Sequence, residues 1–478
     1  ANRRDFSNVP GTDKPSPEQG GPTLSSRALA IVHLAMYDAH AGVVNNPANL
    51  PRYLALPASP AAGASAAAAV AAAAHASLSA LYPRQKPYFD EAHLGAGLSG
   101  AGLAVGHAFG LAVASAHLAD RAFSANDPKA GDSGYAASMH LSAHRPDPAS
   151  PAQGFHAPYY GARAKGFAVT VRHALDSPPA HGSAEYDKAQ KQVRGKGIAP
   201  ELMGTLPNSF NKRTVDETLV GLYWAYDGPR EIGTPPRLYN QIIRQLATTV
   251  PNPNTGVINT VDENARLFAF VNVAMGDAGI LAWDQKYIHD LWRPVLGIRE
   301  HDTSMGPIGA NPTHNIDNDC DPLWLPLGAP ASNSHDKNTT PPFPAYPSGH
   351  ATFGAAALHV ARLFYGRPAG DRNADTLFTG TFVSDELNGI TRDNAGNVRP
   401  RHSRDFPRGL WQMIEENGFS RVWLGVHWSF DAFALDASGK PDLTRNIGGA
   451  ALGLNIAEDI FAAGGGKAPV KSTVGPRS

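Results

Sequence analysis

Three short segments in the C-terminal half of the chain carry cations and imidazoles at spacings that suit anion binding. The first, at 286–294, has the form Lys-x6-Arg-Pro and supplies Lys286 and Arg293. The second is Pro-Ser-Gly-His at 347–350, and the third, at 420–431, has the form Ser-Arg-x5-His-x3-Asp. One such segment alone predicts little. All three in this order predict one site with three fixed cations and two imidazoles.

Lys286 and Arg293 are predicted to lie on one helix, seven residues apart. Seven residues span about two turns and roughly 10 Å of helix, so both cationic groups can reach one anion from the same face. Pro294 disfavours continuation of the helix, which puts Arg293 near its end. A solvated charged face is the alternative. The neighbouring Trp283 and Trp292 argue against it, because they predict a partly buried wall.

Ser348 follows a proline-rich loop and precedes an apolar run with helical spacing, so it is predicted as the N-cap of a helix. A helix N-terminus presents free backbone N–H groups and the positive end of the helix dipole, which together bind anions. Gly349 lets the backbone approach a ligand closely. His350 follows directly, where it can exchange a proton with an oxygen of the anion. If this tetrapeptide stood alone, a plain capped helix would be the better interpretation.

His427 and Asp431 are four residues apart, so on a helix they are neighbours on one face. We expect Asp431 to fix the tautomer of the imidazole and to leave its other nitrogen facing the site. Gly425 is predicted as a turn between Arg421 and His427. A histidine beside tryptophans is more often a core residue, but the nearby carboxylate and arginine favour a ligand. The three segments together suit a tetrahedral anion such as phosphate or vanadate.

The composition excludes several other classes of function. Lys plus Arg number 41 and Asp plus Glu 42 in 478 residues, so the formal net charge is −1. Such a balance argues against a broad electrostatic surface for nucleic acid or membranes. No run of about 18 uninterrupted apolar residues occurs, so we expect no membrane span. Cys320 is the single cysteine, so no intrachain disulfide can form.

The start of the sequence bears on localisation. It begins Ala-Asn-Arg-Arg without Met, which is compatible with removal of a leader. We therefore expect a soluble protein, secreted or periplasmic if a leader was removed. The sequence assigns neither a compartment nor an oligomeric state.

The pattern of apolar residues predicts a mainly α-helical chain of bundles with long connections, because strand-like alternation is scarce. Residues 126–185 are predicted as surface loops, and the segment 302–346 as a long loop of the kind that is usually functional. The predicted helical stretches are 26–43, 61–81, 100–123, 216–226, 237–248, 262–286, 348–365, 407–424 and 446–461. The predicted organisation is an extended arm at 1–24, an N-terminal bundle at 25–200, a C-terminal bundle at 201–465 and a tail at 466–478.

Taken together, the segments resemble the superfamily that vanadium haloperoxidases share with type 2 phosphatidic-acid and bacterial acid phosphatases. The likeness extends further on the haloperoxidase side. The stretches that are similar to fungal vanadium chloroperoxidases are Trp224–Gly228, Gly233–Asn240, Pro341–His350 and Arg421–Trp428. The resemblance is clear over 215–465, whereas the N-terminal half is similar only in helical character. It implies an all-α fold of two four-helix bundles with long connecting loops.

The resemblance also implies a role for each matching position. His427 is implied as the vanadium ligand, His350 as the acid–base histidine, and Asp227 as the partner of Arg421. The contacts to vanadate oxygens fall on Lys286, Arg293, Arg421, Ser348 and the amide of Gly349. Trp283 and Phe343 match residues of the chloroperoxidase pocket, and the position of Phe343 is often histidine in bromoperoxidases.

Three functions remain open on this basis. The first is a haloperoxidase that binds vanadate and uses hydrogen peroxide to oxidise bromide and chloride to hypohalous acid, which halogenates a small organic acceptor. The second is an acid phosphatase, in which His427 forms a phosphohistidine and His350 protonates the leaving group. The third is a non-catalytic oxyanion-binding protein, which would not need His350. The apolar Trp283 and Phe343 favour the haloperoxidase.

Overall fold

Helices dominate the computed structural model, which describes residues 18–55, 59–122, 134–229, 231–307, 309, 319–378 and 380–477. The strands in these ranges are two residues long and form two antiparallel pairs. They are β1 Thr381–Phe382 with β2 Arg404–Asp405, and β3 Ala434–Leu435 with β4 Pro441–Asp442. The predicted all-α fold class is therefore confirmed.

The N-terminal half contains a group of helices that pack closely. They are α1 Gly21–Val44, α2 Ala66–Leu81, α3 Lys86–Gly95 and α4 Leu103–Asp120. Helices α1, α2 and α4 contact one another, and α3 contacts α2. Small residues permit the approach of α4 to α2, because a Cβ at Gly110 would lie 2.1 Å from the carbonyl oxygen of Ala69. Helix α1 begins inside the predicted arm 1–24, of which residues 1–17 lie outside the described part.

The rest of the chain supplies a second group of helices. They are α5 Tyr160–Arg163, α6 Ala184–Lys196, α7 Val215–Tyr223, α8 Pro235–Thr249, α9 Val261–His289, α10 Pro294–Arg299, α11 Gly349–Phe364, α12 Gly409–Trp423, α13 Ser429–Ala432 and α14 Gly448–Ala463. Helices α9, α11 and α14 contact one another, while α8 and α12 pack on α11. Helix α9 also packs on α1, so one helix joins the two groups. The buried core is continuous across the predicted boundary at residue 200.

Most of the predicted helices occur within a few residues of their expected bounds, but five of the described helices lie outside the predicted stretches. These are α3, α5, α6, α10 and α13. Helix α6 is rich in Lys, Gln and Arg, so its apolar periodicity is weak. Within the described residues of 302–346 the chain forms turns and isolated bridges, such as that of Ala329 with Thr339, rather than regular elements.

Two helices are long and apolar enough to span a membrane by length and composition alone. They are α4, with a mean hydropathy of 1.2, and α9, with a mean hydropathy of 1.4. Core helices of folded proteins pass the same test. In α9, 83% of the apolar window is buried inside the protein, which is the pattern of a core helix.

A buried carboxylate ties the segment after α5 to the central helix. Asp277 on α9 is fully buried, and it accepts hydrogen bonds from the backbone N–H groups of Phe167, Ala168 and Val169 at 2.6, 2.8 and 3.0 Å. Burial raises its pKa to about 6, against the effect of these three donors. Asp277 therefore fixes the path of the chain between α5 and α6 against α9.

We expect Asp277→Ala to destabilise the protein by at least about 3 kcal/mol, because three buried N–H groups lose their acceptor and each unpaired group costs about 1–3 kcal/mol. Urea unfolding followed by circular dichroism measures the change. Asp393→Ala is the matched control, because Asp393 also accepts from two backbone N–H groups, at 2.9 Å each, but at the surface, where water can replace it. Equal losses in both variants would contradict the role given to Asp277.

Candidate functional site

The second and third segments line one cavity of about 220 Å³, and the first segment reaches it through Arg293, which contacts His427. The polar lining includes Asp227, Gly349, His350, Arg421 and His427. The apolar lining, here called the apolar wall, includes Pro22, Pro235, Trp283, Pro341, Pro342, Phe343 and Phe353, and His156 lies beside it. Arg421 lines the cavity directly, and together with the buried Arg293 and Lys286 it forms what is here called the cationic floor.

His427 is held by a carboxylate on one ring nitrogen and faces a cation on the other. Its Nδ1 lies 2.8 Å from Oδ2 of Asp431, and its Nε2 lies 2.9 Å from Nη1 of Arg293. Because a carboxylate accepts at Nδ1 and a guanidinium donates at Nε2, the proton resides on Nδ1 and the lone pair on Nε2. The imidazole is thereby prepared to act as a ligand or a nucleophile through Nε2.

The contact between His427 and Asp431 arises differently from the prediction. The two residues were expected on one helical face, but His427 precedes α13 and only Asp431 lies in it. Asp431 is the third residue of α13, and its side chain turns back toward the N-cap residue Trp428. Its Oδ2 also accepts from the backbone N–H of Trp428 at 3.0 Å. The predicted turn at Gly425 is present, with a φ of 74°. A Cβ there would lie 2.4 Å from the carbonyl oxygen of Gly197, so glycine is required.

The prediction that Lys286 and Arg293 share a helix was wrong. Helix α9 ends at His289, and Asp290 adopts a left-handed conformation with a φ of 47°. Arg293 is instead the residue that precedes α10, whose first position is Pro294. Proline is favoured at the start of a helix as well as beyond its end, so Pro294 begins a new helix here. The turn still brings both cations to the same site.

Arg293, in the first segment, is fully buried against the proline-rich loop and the third segment. Its Nε donates to the carbonyl oxygen of Phe343 and its Nη1 to that of Val426, both at 2.8 Å. Its Nη2 is buried and has no hydrogen-bonding partner among the residues that the structure describes. A buried cationic donor without an acceptor is costly, so this atom points to a missing anion.

Arg421 is positioned by a carboxylate. It forms a two-point ion pair with Asp227, in which Nη1 and Nη2 donate to the two carboxylate oxygens at 3.1 and 2.8 Å. Its Nε is buried without a partner in the described part of the chain, as is Nη2 of Arg293. Two such guanidinium donors, one lining the cavity and one beside His427, fit a ligand with several acceptor oxygens, such as a tetrahedral oxyanion.

Lys286 lies behind the cavity rather than on its surface. Its ammonium group donates to the carbonyl oxygens of Pro344, Ala345 and Pro347, at 2.9, 3.1 and 2.5 Å. All three of its N–H bonds are thus engaged, and the residue is completely buried. In this arrangement Lys286 shapes the proline-rich segment before α11 and contributes its charge to the site through space.

Ser348 and Gly349 form the N-terminus of α11 as predicted. Ser348 is the N-cap, and its hydroxyl accepts from the backbone N–H of Ala351 at 3.4 Å. Its own N–H donates to the carbonyl oxygen of Asp431 at 2.7 Å, which joins the second segment to the third. A Cβ on Gly349 would lie 3.3 Å from the ring of Trp283, tighter than ordinary packing. Glycine therefore lets the helix end reach the cavity beside the indole.

His350 lies in the first turn of α11 and lines the cavity. Its Nε2 is 2.5 Å from the carbonyl oxygen of Ala225 and 3.9 Å from Oδ1 of Asp227. Because a carbonyl oxygen only accepts, Nε2 carries the proton and Nδ1 holds the lone pair. Burial, followed by the charge of Arg421, lowers the pKa of His350 to about 3. The ring is therefore neutral at neutral pH, with the lone pair of Nδ1 available as an acceptor.

Burial shifts the pKa of each of these site residues toward the neutral form of the group. Burial is the main cause in each case, and it lowers the pKa of Lys286 and of His427 well below their ordinary values and that of Arg293 to about 9. Burial raises the pKa of Asp431 to about 7. A bound multivalent anion would oppose the shifts of the cations, because a nearby negative charge favours their charged forms.

Trp283 and Phe343 form the apolar wall. Their ring centroids are 4.8 Å apart. The Phe343 ring also faces the cations, with its centroid 5.1 Å from Nζ of Lys286 and 4.8 Å from Cζ of Arg293. Aromatic faces attract cations while they exclude water, so the wall and the cationic floor support one another.

His156 is a cavity residue that the sequence analysis did not predict. It lies in the segment 126–185, which was interpreted as surface loops, and no motif surrounds it. Its imidazole packs against Trp283 and Phe343, with ring centroids 5.8 and 6.0 Å away. A local sequence pattern could not have found it, because Trp283 and Phe343, the rings against which it packs, are more than 120 residues away along the chain.

The fold and the cavity together define an all-α protein with a buried cationic site. Comparison with known proteins makes the family relationship specific. Residues 266–453 match the family model of the VCPO second helical-bundle domain. The chain is 38% identical over 372 residues to vanadium chloroperoxidase of Curvularia inaequalis, a match that covers 66% of this chain and 58% of that protein.

Solved structures show the same fold over almost the whole chain. A bacterial vanadium-dependent iodoperoxidase matches with a TM-score of 0.61 and 18% identity, over 93% of this chain and 92% of its own. The apo-type structure of a bacterial vanadium-dependent chloroperoxidase matches with a TM-score of 0.60 and 16% identity, over 96% and 97%. The predicted resemblance to the vanadium haloperoxidases is therefore confirmed.

Proposed function

We propose that this protein is a vanadate-dependent haloperoxidase that uses hydrogen peroxide to oxidise bromide and chloride to hypohalous acid, which halogenates small organic acceptors. The observation that carries the proposal is the state of His427, whose Nδ1 is fixed by Asp431 and whose Nε2 faces the cavity beside a cation. The similarity to a vanadium chloroperoxidase supports the same activity. Because the match covers 58% of that relative, the activity of the whole protein is an inference.

The donor set fits vanadate, a tetrahedral oxyanion. His427 would be the ligand through Nε2, while Arg293 and Arg421 would donate from their unpartnered Nη2 and Nε atoms. The hydroxyl of Ser348 and the amide of Gly349 would donate from the start of α11. When bound, vanadate supplies a Lewis acid that activates hydrogen peroxide without a change in its own oxidation state.

The residues of the chain then have separate tasks. His350 takes the peroxide proton on Nδ1, because Nε2 is occupied by the carbonyl oxygen of Ala225. Lys286, Arg293 and Arg421 stabilise the negative charge that develops as the peroxide O–O bond breaks. Trp283 and Phe343 exclude water, and a lower local dielectric strengthens these interactions.

An acid phosphatase is the alternative use of the same residues. In that reaction Nε2 of His427 would attack phosphorus, and the protonated His350 would serve the leaving group. The apolar wall of Trp283 and Phe343 argues against it, because it gives a phosphoryl transfer little advantage.

We expect orthovanadate to convert the apo-protein from inactive to active in peroxide-dependent bromide oxidation. Inorganic phosphate should compete with it, since both anions fill the same cationic site. The assay follows bromination of a chromogenic acceptor while vanadate is titrated into chelated and dialysed protein, with phosphatase activity measured in parallel without vanadate. Bromination that survives complete removal of vanadate would exclude the assignment, and phosphatase turnover alone would favour the alternative.

We expect His427→Ala and His350→Ala to separate anchoring from proton transfer. His427→Ala should lose stable vanadate binding, whereas His350→Ala should keep it and slow bromide oxidation by about 10²–10⁴-fold, the usual effect of losing a positioned acid–base group. Equilibrium dialysis with vanadate and steady-state kinetics give the two measurements. A vanadate affinity in His427→Ala equal to that of the wild type would refute the ligand assignment.

We expect the wild type to oxidise chloride as well as bromide, with bromide the faster substrate. Chloride is harder to oxidise, so it needs the stronger activation that a dry cavity wall permits. Phe343→His should reduce chloride oxidation more than bromide oxidation, because the imidazole admits water beside Lys286 and Arg293. Chlorination assays at mildly acidic pH test both statements. Activity on bromide without any on chloride in the wild type would show that Phe343 does not determine the halide range.

A further inference from the structure

His156 brings a polar ring to the otherwise apolar wall, and it comes from the N-terminal half of the chain. The planes of His156 and Trp283 are inclined by 87°, so the two rings meet edge to face. The ring is half-buried and lines the same cavity as His350 and His427. It therefore faces the cavity in which the two imidazoles of the proposed site also lie.

The backbone of His156 is held at three points. Its N–H donates to the carbonyl oxygen of Pro342 at 2.8 Å. Its own carbonyl oxygen accepts from Nε1 of Trp283 at 3.2 Å and from the hydroxyl of Tyr287 at 2.8 Å. Because these bonds reach both the proline-rich segment and α9, the position of His156 is fixed relative to the whole wall.

The first turn of α1 fixes the imidazole itself. Nε2 lies 3.0 Å from Oγ1 of Thr23, which is completely buried. A Cβ on Gly21 would lie 2.4 Å from Cε1 of the ring, so the glycine makes room for it. Within the described part of the chain, no hydrogen bond engages Nδ1. When the threonine hydroxyl donates to Nε2, Nδ1 carries the proton and is a free donor.

A halide ion that enters this cavity loses hydrogen bonds from water, and groups of the cavity must replace them. Most of the wall consists of proline and aromatic carbon, which cannot replace the hydrogen bonds of water. An N–H donor and the positive edges of aromatic rings can do so in part. Burial lowers the pKa of His156 to about 4, so at neutral pH the ring acts as a dipole rather than as a cation.

We propose that His156 is a halide-specificity residue of the haloperoxidase proposed above, and that its Nδ1–H donates a hydrogen bond to the halide beside Trp283 and Phe343. Chloride is more strongly hydrated than bromide and therefore depends more on this donor. The inference concerns the halide alone, because the oxyanion is held by residues of the three segments and not by His156.

Substitution of His156 tests the proposal in the vanadate-loaded enzyme. His156→Phe keeps an aromatic ring and removes the donor, so the halide KM should rise about tenfold or more, with a larger rise for chloride than for bromide. The Kd for orthovanadate should stay within about twofold of the wild-type value. His156→Gln, which restores an N–H donor, should recover most of the halide affinity. Halide KM values in His156→Phe that match the wild type would overturn the proposal.

His33→Phe is the matched control. His33 is also a half-buried histidine whose pKa is lowered to about 4 by burial, and it stacks on Phe268 at 5.8 Å, but it lines a different pocket. The same substitution there should leave both halide KM values unchanged. If His33→Phe and His156→Phe raise them equally, the effect is a general loss of packing and the proposal fails.

A binding measurement separates this proposal from the haloperoxidase proposal. Protein labelled with ¹⁵N-histidine and free of vanadate is titrated with sodium chloride and sodium bromide, and the His156 ring signal is assigned from His156→Gln. We expect a saturable shift of that signal, larger than the shift of His33. A missing shift overturns the halide site even if the enzyme turns over. A clear shift in a protein that never oxidises halide supports the site and rejects the activity.

Discussion

Buried positive charge is the constraint on which this structure depends. Lys286, Arg293 and Arg421 are all completely buried within one site, and two carboxylates, Asp227 and Asp431, interact with them. Removing several like charges from water costs several kcal/mol for each ion unless counter-charges and hydrogen bonds replace it. The buried like charges repel one another, and a bound multivalent anion would reduce that repulsion. The preference for such an anion therefore depends on several residues that the fold brings together rather than on one residue.

Different groups around the site stabilise each of the three buried cations. Backbone carbonyls of the proline-rich segment surround the Lys286 ammonium, a carboxylate pairs with Arg421, and the Phe343 ring covers the face of Arg293. All N–H bonds of Lys286 are engaged in this way, whereas each arginine keeps one buried nitrogen without a partner among the described residues. The segment before α11 has no regular secondary structure because its carbonyl groups turn inward to the lysine instead of pairing with a neighbouring strand.

The site was largely predictable from sequence, whereas its geometry was only partly so. Residue types and spacings identified the cations, both imidazoles and the N-cap Ser348, because these features are local. The helix assumed for Lys286 and Arg293 failed, since the left-handed turn at Asp290 is invisible to periodicity and Pro294 can either end or begin a helix. His156 was not predicted as a site residue, because it reaches the cavity through tertiary contacts with α1 and α9. The helices α3, α5, α6, α10 and α13 were not predicted because they are short or polar.

The first turn of α1 contributes Gly21 and Thr23 to the cavity region, whereas the residues proposed to hold the oxyanion all lie beyond residue 225. The cavity lining therefore combines residues from both halves of the chain, while the proposed oxyanion contacts come from the C-terminal half alone. Variation in the first 160 residues can remodel the access and the polarity of the cavity while the reactive centre stays intact. Such a separation favours evolutionary diversification, because new reactants can be tried without loss of the underlying chemistry, and it makes the N-terminal half the natural target for laboratory redesign.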